Sequence, residues 1–193
     1  MAGGAGAAGI AALASVLLCT ALAAGCAADG VWAPSQDRLV HRRQGFSVPD
    51  PARADAAWRR VEVERAALAY ARDGGARLSL HSECDRVPPA PQVLARALLI
   101  GIDEKVLRQS GPVAVRDWQG WSQVLDVQEG ARVLRLKTVT LVAEACSFDF
   151  VLVAGDDFEA LETGFDAWWA GFLYGELAPP ESGELAPPEV SGP

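Results

Sequence analysis

Along the chain the apolar positions change their spacing several times, and each change marks an element. From Ala2 to Ala28 no side chain is charged, and Ile10–Ala24 is a run of 15 apolar or small residues. The first polar-interrupted apolar group, Gly45–Val48, reads as a short strand stopped by Pro49 and Pro51. Trp58–Glu64 alternates apolar and charged residues, the period of a half-buried strand. Ala66–Ala71 and Arg77–Leu80 flank Asp73-Gly74-Gly75, whose glycines supply the positive φ of a tight hairpin. Pro88, Pro89 and Pro91 break the pattern. Gln92–Ile102 then carries Val93/Leu94, Ala97/Leu98 and Ile102 at helical spacing, with Pro91 suited to the first turn. Asp103–Gly111 fits neither period.

Four strands follow: Val113–Asp117 and Trp121–Val127 with Gly120 between them, then Arg132–Val142 and Ser147–Val153. The last, SFDFVLV, is apolar enough to be covered on both faces. A closing helix opens on Asp156, which with Glu159 forms a capping box. Phe158, Leu161, Phe165, Trp168/Trp169 and Phe172 repeat every three or four residues, a stripe that packs on a sheet rather than cages a ligand. The class is therefore α+β, an antiparallel sheet flanked by helices. The C-terminal residues are a near-duplicate, GELAPPES at 175–182 and GELAPPEV at 183–190, too polar and too short for a solenoid and read as a disordered Pro/Glu tail.

The apolar start is long enough for the central region of a signal peptide and short for a bilayer span of about 20 residues. It runs into Leu22-Ala23-Ala24-Gly25-Cys26, which resembles the lipobox of bacterial lipoproteins. Small side chains let such a segment lie extended in a peptidase groove, and only a thiolate is nucleophilic enough to take the diacylglyceryl group. The resemblance implies a signal peptide over 1–25, lipidation at Cys26, a tether over 26–37, one domain over 38–174 and the tail over 175–193. Ala27, not Asp, follows the cysteine. In the lipoproteins it resembles, that implies the outer membrane.

Losing Cys19 with the leader and lipidating Cys26 leaves Cys84 and Cys146. In an oxidising compartment these two pair as a disulfide, closing a loop of roughly 60 residues worth about 4 kcal/mol; the alternative is two separate buried thiols. No cysteine spacing suits zinc or thiol–disulfide catalysis.

The order of elements, Gly45-Phe46-Ser47-Val48-Pro49 followed by Trp58, and the ending Phe148–Ala154 plus a helix with Phe158, Phe165, Trp169 and Phe172, are similar to the PsbP-like families. That resemblance implies an α/β/α sandwich over roughly residues 41–174. None of those families' ion- or partner-binding residues maps onto a matching motif here, so none is carried over.

Charge and candidate chemistry narrow the function only by exclusion. With 17 basic and 25 acidic residues the net charge is −8, half of it in the tail, which argues against nucleic acid as a partner. There is no GxSxG, phosphate loop or HExxH, and no cofactor is expected. His41 sits in a basic, solvated HRR run. His81, between Leu80 and Ser82-Glu83, has neighbours pointing to opposite sheet faces, so they form no relay. Asp156-Asp157 could serve glycoside hydrolysis, but a helix start makes capping the better account. Asp149 lies in the most apolar strand and must find a partner or shift its pKa. Arg132, Arg135 and Lys137 are the candidate ion-pair partners, with a ligand contact as the alternative. Trp118 and Trp121 could form a binding edge or pack inward.

The expectation is a lipid-tethered, non-enzymatic envelope protein, held by membrane lipid through acylated Cys26 and binding or scaffolding an envelope protein or ligand. The rivals are an exported hydrolase using His81 or Asp149, and a single-span membrane protein with a small exterior domain.

Overall fold

The computed structural model describes residues 32–35, 37–84 and 87–175. The leader, Cys26 and the acidic repeat lie outside the described residues. The chain opens with β1 (Trp32–Ser35), β2 (Arg38–His41) and β3 (Phe46–Pro49), a three-stranded meander. Trp32–Ser35 thus belongs to a sheet rather than to the tether expected there. Its anchor is physical: the Trp32 indole Nε1 donates to Ala67 O (2.9 Å), and its ring meets His41 and Phe46 edge-on.

A four-residue helix, α1 (Pro51–Ala54), follows, capped by Asp50 accepting from the Ala52 amide. The expected strand over Trp58–Glu64 shrinks to β4 (Arg59–Arg60), because Val61 and Val63 find no apolar layer and remain 37% and 46% exposed. Next come β5 (Leu68–Ala71) and β6 (Arg77–Glu83), joined by a hairpin in which Gly74 and Gly75 both take positive φ. α2 (Pro91–Ala97) is shorter than its periodicity suggested.

The segment of mixed period resolves into β7 (Lys105–Val115), an edge strand exposed along most of its length. After it run β8 (Trp118–Glu129), β9 (Arg132–Ala143) and β10 (Cys146–Ala154), then α3 (Phe158–Ala170) and β11 (Leu173–Tyr174). Gly120 lies inside β8, not in a turn. A Cβ there would stand 2.5 Å from Thr140 O and 2.6 Å from the Leu141 side chain, so the glycine serves close strand approach.

Two antiparallel sheets result, ordered β1-β2-β3-β11 and β4-β5-β6-β10-β9-β8-β7. The fold is dominated by sheet, and helices flank it only in part. Phe148, Phe150 and Leu152 of β10 point to one face, where α3 and the small sheet close the main core with Phe46, Phe165, Trp168 and Phe172. Asp149, Val151 and Val153 point to the other face, of which α2 covers the β8–β9 portion around Leu99, Leu125 and Leu136. β10 is therefore buried fully on one face and partly on the other. The helical stripe of α3 is core, as its spacing predicts: Phe158, Leu161, Phe165 and Trp168 are all buried.

Candidate ligand cleft

Between α1 with its following loop and α3 lies a cleft of about 520 Å³. Its walls are Trp58 from the loop, Leu78 from β6, and Leu161, Phe165 and Trp168 from α3. Asp50, Asp55, Arg72 and Asp157 ring its mouth. The size is that of a small-molecule site, and an apolar floor with a few fixed polar groups is the usual makeup of one.

Local chemistry holds the rim in place. Asp50 Oδ1 accepts from Tyr70 OH (2.8 Å) as well as from the Ala52 amide. Burial and that bond to Asp50 push the Tyr70 hydroxyl far above its ordinary pKa, so it stays a donor. Asp55 accepts from the Ala57 amide (2.9 Å) and from Arg72 Nη1 (2.7 Å), and the Arg72 guanidinium lies 5.6 Å over the Trp58 ring. Trp168 Nε1 donates to Pro49 O (3.1 Å), fixing the opposite wall. Every polar rim group named here except Asp157 is thus committed to a partner, while the apolar surface between them is what a ligand would meet.

The residues singled out in the sequence fall elsewhere or play other parts. His41 is buried, not solvated: its ring stacks on Phe46 at 4.8 Å, its Nδ1 accepts from the Gln44 amide (3.2 Å), and burial lowers its pKa. Asp149 has no ion pair with Arg132, Arg135 or Lys137. Arg135 and Lys137 point to the opposite face, where Arg135 meets Asp126 and Glu159 and Lys137 meets Glu162 and Asp166. Asp149 accepts instead from Thr140 Oγ1 (2.6 Å), and burial raises its pKa although that bond and His81 pull it down. The capping box does not form either. Glu159 is taken by Arg135, and Asp157, the N-cap, makes no side-chain cap bond. Trp118 and Trp121, three apart on one strand, point to opposite faces and share no edge; Trp118 packs edge-on against Tyr174 at 5.7 Å.

On the α2 side of the sheet, His81 and Asp149 are register partners on β6 and β10. His81 Nε2 lies 3.2 Å from Ser79 Oγ and its Nδ1 3.2 Å from Arg65 O. The strand period hides this pair from a reading of adjacent residues, since the partner of His81 is two positions away, not one. Cys84 and Cys146 are joined on the other face, at the rim of the main core, where β6 ends and β10 begins. No group of His, Cys, Asp and Glu suited to a metal ion occurs among the described residues.

No protein-family model matches the sequence, and no curated protein matches it. Solved structures do. The cyanobacterial PsbP of Synechocystis sp. PCC 6803, CyanoP, superposes with a TM-score of 0.55 over 71% of this chain and 91% of its own, at 12% identity. The fold resembles that of CyanoP. At this identity the likeness to CyanoP concerns the fold alone, and at that level the PsbP-like expectation holds. LpqN, involved in cell envelope biogenesis of Mycobacterium tuberculosis, aligns more loosely, with a TM-score of 0.49 and 12% identity over 63% of this chain and 77% of its own. Among the described residues no helix is long and apolar enough to cross a membrane.

Proposed function

We propose that this is a lipid-anchored protein of the bacterial cell envelope, held through acylated Cys26 at the outer membrane, whose domain binds a largely apolar ligand without transforming it. The cleft carries the reading. Aromatic walls face one another across a volume of small-molecule size, and neither histidine lines it. The uncharged leader running into Leu22-Ala23-Ala24-Gly25-Cys26 supports the anchor.

Both halves are testable. An alkyne-bearing palmitate fed to cells is incorporated into the chain and lost in Cys26→Ala; absence of label from the unaltered chain refutes the anchor. For the cleft, Ala160→Trp fills the space from an exposed position of α3. It abolishes binding of an apolar fluorescent dye that the unaltered protein takes up; unchanged dye binding refutes the cleft as the site.

The Ser79–His81 contact favours a second reading, an exported hydrolase with Ser79 as nucleophile and His81 as base, oriented by the Arg65 carbonyl. Hydrolysis of simple esters that disappears in Ser79→Ala and His81→Ala alike, with dye binding intact, would establish it over the first.

A further inference from the structure

The place where the chain enters the fold is ringed by unpaired cations. Trp32, the first described residue, pairs in register with His41, and the turn that follows carries Arg42 and Arg43, both exposed. The loop leading to Ala67, which accepts from the Trp32 indole, carries Arg60, Val61, Val63 and Arg65, all exposed. Arg60 lies 5.9 Å over the Trp32 ring, the same ring that meets His41 edge-on at 4.8 Å just before Arg42. Loop, turn and chain entry are therefore one surface.

Its charge sets it apart. Arg59, Arg72, Arg108, Arg135 and Lys137 each sit against a carboxylate. Arg42, Arg43, Arg60 and Arg65 make no ion pair among the described residues, and Glu62 and Glu64 between them leave the cluster two charges positive. Other arginines without an ion pair among the described residues, Arg38, Arg53, Arg77, Arg96 and Arg132, stand singly on β2, α1, β6, α2 and β9. The chain as a whole carries −8.

Cys26 lies six positions before Trp32, a reach of about 20 Å when fully extended. We propose that the surface of Arg42, Arg43, Arg60 and Arg65 around Val61 and Val63 seats on an anionic bilayer and orients the domain over its anchor, an inference that rests on lipidation at Cys26. Arginines within a Debye length of a lipid surface are drawn to anionic headgroups. Exposed valines among them supply the apolar contact of an interfacial segment, and a basic patch is a known second signal beside an acyl anchor. β3 runs from the basic turn to Pro49 at the cleft, so seating one end leaves the cleft at the other.

The full chain, purified from membranes, is reconstituted in vesicles of phosphatidylcholine with or without phosphatidylglycerol. A single fluorescent label is placed at Val63→Cys or at Val133→Cys, and vesicles carry a spin-labelled quencher lipid. Val133 is a sound control: it is 59% exposed beside the β8–β9 turn, the end of β9 remote from Cys146. The proposal expects several-fold stronger quenching at Val63 than at Val133 with phosphatidylglycerol. The difference should vanish without it, in 1 M salt where the Debye length is about 3 Å, and in the Arg42→Glu/Arg43→Glu variant, which still floats with vesicles. Equal quenching at both positions in floating protein overturns the surface and leaves the anchor standing. Failure to float overturns both. Gly175 N donates to Gly45 O (3.0 Å), which places the last residue described before the acidic repeat against the basic turn. Quenching at Val63 that appears only when the chain is cut after Gly175 would assign the patch to that tail and overturn seating on the bilayer.

Discussion

Asp149 shows how far a single residue can be read without neighbours. Its placement between Phe148 and Phe150 means that it must find a partner or shift its pKa, because an apolar strand offers it little solvation. The partner was not legible, since strand register decides it: Thr140 faces Asp149, whereas Arg135 and Lys137 project from the other side of β9. Burial raises the pKa of Asp149, so the folded state holds its proton more tightly than the unfolded chain. Stability contributed by the neutral carboxyl is full below the unfolded value of 3.8 and declines as pH rises through the raised native value. Asp149→Asn keeps an oxygen for Thr140 to donate to and removes the ionisation. Thermal melts across acidic to neutral pH should show the variant losing less stability with rising pH and, at neutral pH, melting roughly 2–4 °C higher, the shift expected of about 1 kcal/mol in a chain this size. A parallel pH dependence in the two proteins would refute the assignment. His41 shows the opposite failure of local reading. Two following arginines make it look solvated, yet its ring is the one that stacks on Phe46.

At the scale of elements, period and length sufficed wherever one face was core. The α3 stripe, the β5–β6 hairpin and the long strands around Arg132–Val142 and Ser147–Val153 all lie where their apolar spacing puts them. The pattern misled at sheet edges. Trp58–Glu64 alternates well but has no layer to cover Val61 and Val63, and β7 was unreadable because an edge strand exposed on both sides carries no period. Gly120 looks in sequence like a break between two strands, yet it marks close packing of β8 on β9; Gly120→Ala should cost about 1–3 kcal/mol in urea unfolding. Gly164→Ala tests the converse. A Cβ at that exposed site on α3 meets nothing within 4 Å, so the substitution should stabilise by about 0.5–1 kcal/mol through helix propensity alone. The union of α3 with the sheet depends on Lys137, 8% exposed, bonded to Glu162 (2.7 Å) and Asp166 (2.9 Å). Burial alone would lower its pKa; the two carboxylates outweigh that and raise it. Its contribution is therefore complete below the unfolded value of 10.5 and fades only as pH climbs through the raised value. Lys137→Ala should cost about 3 kcal/mol at neutral pH by the same measurement, and a loss under half that would mean the half-exposed carboxylates simply turn to water.

For the whole molecule, the cleft was the feature least visible in sequence. Its walls come from Trp58, Leu78 and α3, segments up to 110 residues apart (Trp58 to Trp168) whose apolar side chains all read as ordinary core. Thiol bookkeeping was more legible and joins the two ends of the argument. Cys84 and Cys146 are bonded with a sequence separation of 62, which on the chain-entropy model is worth about 4 kcal/mol. Cys19 lies in the proposed leader and Cys26 is the proposed lipidation site, so on that reading processing decides how many thiols remain. A chain clipped before Cys26 and acylated there should add no alkylating reagent when denatured without reductant, and two equivalents after reduction, by intact mass. A chain that keeps its leader should add two before reduction and four after. Reduction of the processed chain should also shift its urea midpoint downward by an amount matching about 4 kcal/mol. A midpoint unmoved by reduction would mean that the β6–β10 ladder, not the crosslink, holds this edge. One experiment thus reads the anchor and the crosslink separately, because processing sets the total after reduction, two or four, and the crosslink sets the increment, two or none.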